Sequence, residues 1–112
     1  LRRRYLLEVG ARVVVADALR GRVRFARHDI MGPTLAPSEA VIASFDLILM
    51  RNVLIYFDRR LQQKVVDRLR RVLAPGGVLV LGRVETLPHA GAGAFTPFPR
   101  TSPALRIYRV AA

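Results

Sequence analysis

A chain of 112 residues that is 52% hydrophobic is long enough for one small domain, read here as a single unit over residues 1–112. It has no cysteine, which excludes disulfides, thiolate metal sites and a cysteine nucleophile and fits a cytoplasmic location, while His28 and His89 are too few for a metal cluster. The formal charge of +11 would suit nucleic acid, but eighteen of the nineteen basic residues are arginines, dispersed and without interleaved aromatics, so an acidic protein partner is the expectation and nucleic acid ranks last.

The chain begins at Leu1 rather than Met, so a longer polypeptide is expected. "LRRRYLLEVG" is not a signal peptide, since Glu8 interrupts the apolar run, and residues 1 to 8 read as the end of a helix or connector. No stretch approaches the roughly 20 apolar residues of a membrane span, so no membrane insertion is expected.

"ARVVVAD" (11–17) has a β-branched centre, and "RVRFARHD" (22–29) alternates with Val23 and Phe25 on one face. Each predicts a strand, with a short polar link around Leu19 to Gly21 between them. "IMGPTLAPSEAVIAS" (30–44) is a loop by its Gly32, Pro33 and Pro37. "FDLILMRN" (45–52) predicts a strand, apolar without alternation from Leu47 to Met50, as in a sheet covered on both faces.

Asp58 is placed to cap a helix of about four turns whose buried stripe is Leu61, Val65, Leu69, Val72 and Leu73. Arg59, Arg60, Gln63, Asp67, Arg70 and Arg71 take the wet side. Pro75-Gly76-Gly77 ends the helix, "VLVLG" (78–82) is an apolar strand, residues 84 to 103 are a long loop, and "LRIYRV" (105–110) is a terminal antiparallel strand. Strand, capped helix and strand make a βαβ unit, hence a mixed α/β sheet, parallel at its centre.

Ligands of open parallel sheets bind at the carboxyl ends of strands. Three polar sites are expected there: His28-Asp29, Arg51-Asn52, and Arg83 with Glu85. Arg51 and Asn52 are the conspicuous pair, because they interrupt an apolar run that resumes from Val53 to Phe57.

"FDLILMRN", a capped helix and "LAPGGVLVLG" together resemble the second half of a class I S-adenosylmethionine-dependent methyltransferase. The finer pattern of "RNVLIYFD", a following Gln, "LAPGGVLVLG-x-x-E" and "IYR" resembles the CheR-type methyltransferases, which act on glutamates of bacterial chemotaxis receptors. The resemblance runs from about Tyr5 to Val110. It implies a partial Rossmann-like sheet, the C-terminal half of that domain, and S-adenosyl-L-methionine as cofactor. It implies as partner the acidic cytoplasmic domain of a chemotaxis receptor.

Carried over residue by residue, Asp29 matches the acceptor for the adenine amino group and Ile30 the apolar neighbour packed on the adenine ring. Arg51 and Asn52 match the pair closing over the cofactor, and Tyr56 the tyrosine beside the transferred methyl and the substrate carboxylate. The structural rival for Tyr56 is a half-buried staple above the helix start. Asp58 is a cap only, Asp46 is structural, and Glu85 fits an acidic position of unassigned role.

The acceptor carboxylate is already ionised at neutral pH, so the reaction needs alignment and exclusion of water rather than a general base. Gly82-Arg83-Val84-Glu85 departs from the family's Gly-His-Ser-Glu at two positions, which bears on the acceptor. The segment from Tyr5 to Phe25 is also shorter than in members with a full receptor-tethering subdomain. Neither a Gly-rich loop after a first strand nor an acidic ribose partner is present in the sequence, so this segment alone is expected to be inactive. The alternatives are a class I methyltransferase with another acceptor, and a degenerate methyltransferase-like binding module in a signalling protein.

Overall fold

The computed structural model describes residues 2–37, 44–88 and 93–111. His89 and residues 38–43 of the expected loop lie outside them. The chain opens with a short helix α1 (Arg2–Tyr5), strands β1 (Leu6–Val9) and β2 (Arg12–Val15), and a helical turn α2 (Asp17–Arg20). β1 and β2 form an antiparallel hairpin in which Leu6 faces Val15 and Val9 faces Arg12. Gly10 turns the hairpin at φ +62°, a conformation that costs glycine little. The "VVV" strand is where it was expected, whereas β1 falls in the stretch expected as a helix end or connector and the helical turn α2 in the expected polar link.

Residues 22–29, expected as a strand, form none. Arg22 and Val23 donate their N–H groups to the carbonyls of Leu19 and Arg20, so the segment starts as an extension of a turn. Among the described residues no strand pairs with it, although Val13, Val14 and Val15 of β2 line an open cavity with Val23 and Phe25. Val23 and Phe25 stay exposed, the latter at 95%, so the alternation has no sheet to bury against.

The second sheet has four strands in the order β3-β4-β6-β5, with β3 (Phe45–Met50), β4 (Leu73–Leu81), β5 (Phe95–Pro97) and β6 (Ile107–Val110). β3 and β4 run parallel, Ile48 beside Leu79 and Met50 beside Leu81, while β6 is antiparallel to β4 and to β5. This is the expected mixed α/β sheet. β5 lies inside the stretch read as a long loop; its Pro97 is tolerated because β5 is the edge strand.

Helix α3 (Arg59–Val72) joins β3 to β4. Asp58 caps it as expected, its Oδ1 accepting the Leu61 N–H at 2.8 Å. Asp58→Ala should cost about 1 kcal/mol, measurable by urea unfolding; an unchanged midpoint would deny the cap any weight.

Val65, Val66, Leu69 and Val72 of α3 are buried, and with Leu54, Leu73, Leu79, Leu81 and Phe95 they make the core. Asp67 pairs with both Arg70 and Arg71 at 3.0 Å on the wet face, so much of the local charge is ordinary helix surface. At Pro75-Gly76-Gly77 the ladder shifts, Phe45 pairing with Leu73 and Leu47 with Val78. Gly76 takes φ +75°, and a Cβ on Gly77 would lie 2.7 Å from the Ala74 carbonyl oxygen. The Pro-Gly-Gly signal is thus a bulge at the head of β4.

The expectation that β3 is covered on both faces is corrected. Ile48 and Met50 pack on the core, but Leu47 and Leu49 are 54% and 65% exposed, and β3 is an edge strand. Among the described residues α3 covers one face only, and Leu47 and Leu49 of the apolar run face away from it. No helix among the described residues is long and apolar enough to cross a membrane.

Candidate active site

The chain leaves β3 at Arg51 and makes a compact turn before α3. Asn52 takes φ 61°, the left-handed region that asparagine tolerates better than most side chains. Leu54–Tyr56 form one 3₁₀ turn in which Leu54 points inward at 1% exposure and anchors the segment to the core. Arg51, Asn52 and Tyr56 remain on the outside. Tyr56 is 80% exposed, which excludes the half-buried staple.

Two side chains from other elements grip this turn. Glu85, four residues beyond the end of β4 and 2% exposed, accepts N–H bonds from Asn52 (2.7 Å), Val53 (3.1 Å) and Ile55 (3.3 Å). It also accepts the Gly82 N–H at 2.8 Å. From the other side, Gln62 of α3 donates Nε2 to the carbonyls of Leu54 at 2.9 Å and Phe57 at 3.2 Å. The backbone of 52–57 is therefore held by its N–H groups from the turn after β4 and by its carbonyls from α3.

Burial pushes the Glu85 carboxyl up, but the backbone N–H groups of Gly82, Asn52, Ile55 and Leu54 more than offset this and hold it below its ordinary value of 4.5. A carboxylate with a lowered folded-state pKa stabilises the fold fully above its unfolded value. That stabilisation is lost as pH falls through the folded value. The melting temperature should therefore drop as the pH is taken below 4.5, and the drop should shrink in Glu85→Gln. Equal acid sensitivity in both proteins would contradict it.

Asp29 and Ile30 sit on a separate segment. Contrary to expectation, His28-Asp29 does not follow a strand. It is held instead by an Asx turn, Asp29 Oδ1 accepting the Met31 N–H at 3.0 Å and its carbonyl the Gly32 N–H at 2.9 Å. Arg68 of α3 anchors the loop by donating to the carbonyls of Gly32 and Thr34. The second Asp29 oxygen has no partner among the described residues and is open to an N–H donor. Ile30 and Met50, the residue before Arg51, line one apolar cavity of about 310 Å³ with Leu47, Ile48 and Leu49. The structure thus gathers Arg51, Asn52 and Tyr56 on one turn, and places Ile30 across a cavity from the strand that leads into it.

The sequence matches known proteins. A sequence model described as "CheR methyltransferase, SAM binding domain" matches residues 1–102. The chain belongs to the CheR methyltransferase family. It is 38% identical over 84 residues to "Probable biofilm formation methyltransferase WspC" of Pseudomonas aeruginosa, covering 75% of this chain and 19% of that protein. Against "Chemotaxis protein methyltransferase" of Vibrio parahaemolyticus it is 37% identical over 87 residues, 77% of this chain and 30% of the relative. The chain therefore spans less than a third of the curated relatives it matches.

The fold is that of a partial class I methyltransferase domain, and S-adenosylmethionine is the cofactor of this CheR domain. The chemistry present suits parts of such a molecule: Asp29 keeps one carboxylate oxygen without a partner among the described residues, and the cavity lined by Ile30 and Met50 is apolar. Two contributors were not assigned in the sequence. Gln62 was visible only as the Gln of the motif, and Glu85 only as an acidic position, because neither signal says which backbone groups the side chain reaches.

Proposed function

We propose that the protein carrying this chain transfers a methyl group from S-adenosylmethionine to glutamate side chains of a chemotaxis receptor's cytoplasmic domain, and acts in the cytoplasm. The observation that carries the reading is the doubly gripped turn, which presents Arg51, Asn52 and Tyr56 outward while Leu54 anchors it. Chemotaxis methyltransferases among its relatives support the same assignment.

When bound, the cofactor supplies an electrophilic methyl group on a sulfonium. Asp29 would accept the adenine amino group and Ile30 would pack on the ring. Arg51 and Asn52 would close over the cofactor, and the Tyr56 hydroxyl would orient the acceptor carboxylate. No residue needs to take a proton, because that carboxylate is ionised at neutral pH. The +11 charge favours the approach of an acidic segment.

Incubation of the whole protein with methyl-labelled cofactor and receptor cytoplasmic domains should give base-labile methyl esters on glutamates. Base-stable label would instead favour a methyltransferase with another acceptor. The observation pointing that way is the exposed Arg83-Val84 pair where the family pattern has His-Ser. The 112 residues alone should bind S-adenosylmethionine weakly or not at all, and micromolar binding in a calorimeter would refute this.

A further inference from the structure

We propose that Glu85 is a positioning residue, and that its charge shapes the turn which meets the cofactor. The inference rests on the cofactor reading above and adds to it the group that sets the site's backbone.

Glu85 is the one buried charged or polar side chain in the described core. A carboxylate at 2% exposure would be costly unless its oxygens were satisfied. Here they are: Oε1 takes the N–H groups of Asn52 and Gly82, and Oε2 those of Val53 and Ile55. All four donors are backbone groups. Nothing in this environment prepares Glu85 to exchange protons, and its lowered pKa agrees. Its oxygens face backbone N–H groups of the turn and of Gly82, so it acts through the turn.

The spacing Gly82-x-x-Glu85 follows from the same geometry. Glu85 donates its own N–H to the Gly82 carbonyl at 3.0 Å, closing a tight turn that folds the carboxylate back under β4. A Cβ at Gly82 would lie 2.7 Å from Glu85 Oε1 and 2.6 Å from Asn52 Oδ1. Glycine is required there because the carboxylate and the Asn52 amide already fill the space. Arg83 and Val84, at the tip, are exposed and free to vary without disturbing the grip.

Three N–H groups converging on one carboxylate fix residues 52, 53 and 55 together, including the left-handed Asn52. Glutamine cannot replace this. Its single amide oxygen can serve one side, while its NH₂ would confront N–H donors on the other.

The test compares wild type, Glu85→Gln and Gly82→Ala in the whole protein. Gly82→Ala keeps the carboxylate but crowds it. In amide NMR spectra, the Asn52, Val53, Ile55 and Gly82 signals should move together in both variants, while those of Val65 and Leu69 in α3 stay in place. Methyl transfer at saturating cofactor should fall at least about tenfold, with melting temperature lowered but the protein folded at the assay temperature. Unmoved amides overturn the proposal, as does full turnover in Glu85→Gln. A loss confined to the KM for cofactor, with turnover intact, also overturns it, because it assigns Glu85 to uniform binding. A wild-type protein that binds no S-adenosylmethionine overturns the functional reading instead, and the four amides then decide separately whether Glu85 sets the turn.

Discussion

Arg51→Ala and Tyr56→Phe, made separately in the whole protein, should each lower methyl transfer by about 10- to 100-fold. Neither should change stability by more than about 0.5 kcal/mol. The two halves of this expectation come from the same observation. Both side chains are exposed, Tyr56 at 80%, and neither packs in the core, so the fold has little to lose. The backbone that carries them is bound by Glu85 and Gln62, so it keeps its shape when the side chains are trimmed. Tyr56→Phe removes one hydroxyl and leaves the ring, which isolates the donor that would orient the acceptor carboxylate. Steady-state transfer assays with a thermal melt of each variant check the pair. Wild-type rates in both would remove these residues from the site, and a parallel loss of rate and melting temperature would make them structural.

The largest effect on stability belongs to Leu79→Ala. Leu79 is fully buried in the middle of β4, between Ile48 of β3 and Tyr108 of β6, under the apolar face of α3. Truncating a leucine in such a place costs about 2–5 kcal/mol. A small domain has only about 5–15 kcal/mol in total, so the variant should be partly unfolded at physiological temperature. Leu49→Ala, on the opposite face of the same sheet and 65% exposed, should cost within about 0.5 kcal/mol in the 112-residue chain. Urea titrations of the two variants compare the faces directly. A Leu49 loss as large as that of Leu79 would mean that the outer face of β3 is covered in solution.

The contrast between these leucines marks what the sequence could and could not tell. The helix over residues 59–72 was legible because its cap and most of its apolar stripe are local signals, whereas Pro75-Gly76-Gly77, expected to end it, lies inside β4 and the helix already stops at Val72. The parallel pairing of β3 with β4 followed from the same unit. Burial of Leu47 and Leu49 was not legible, because one-sided and two-sided cover depend on what lies across the sheet rather than on the strand itself. Residues 22–29 failed as a strand for a related reason: alternation states a preference, and only a neighbour makes a ladder. At the site, Arg51, Asn52 and Tyr56 stood out as polar interruptions of an apolar run. Glu85 reaches Asn52 across 33 positions of chain, and no spacing rule within one element shows such a contact.

A structure of the whole protein with S-adenosylhomocysteine, the demethylated cofactor, tests the central claim most directly. The account predicts the adenine amino group on the free oxygen of Asp29, Ile30 against the ring, and the sulfur facing Tyr56 above the turn held by Glu85. A cofactor bound away from the carboxyl ends of β3 and β4, with Tyr56 still in solvent, would contradict it.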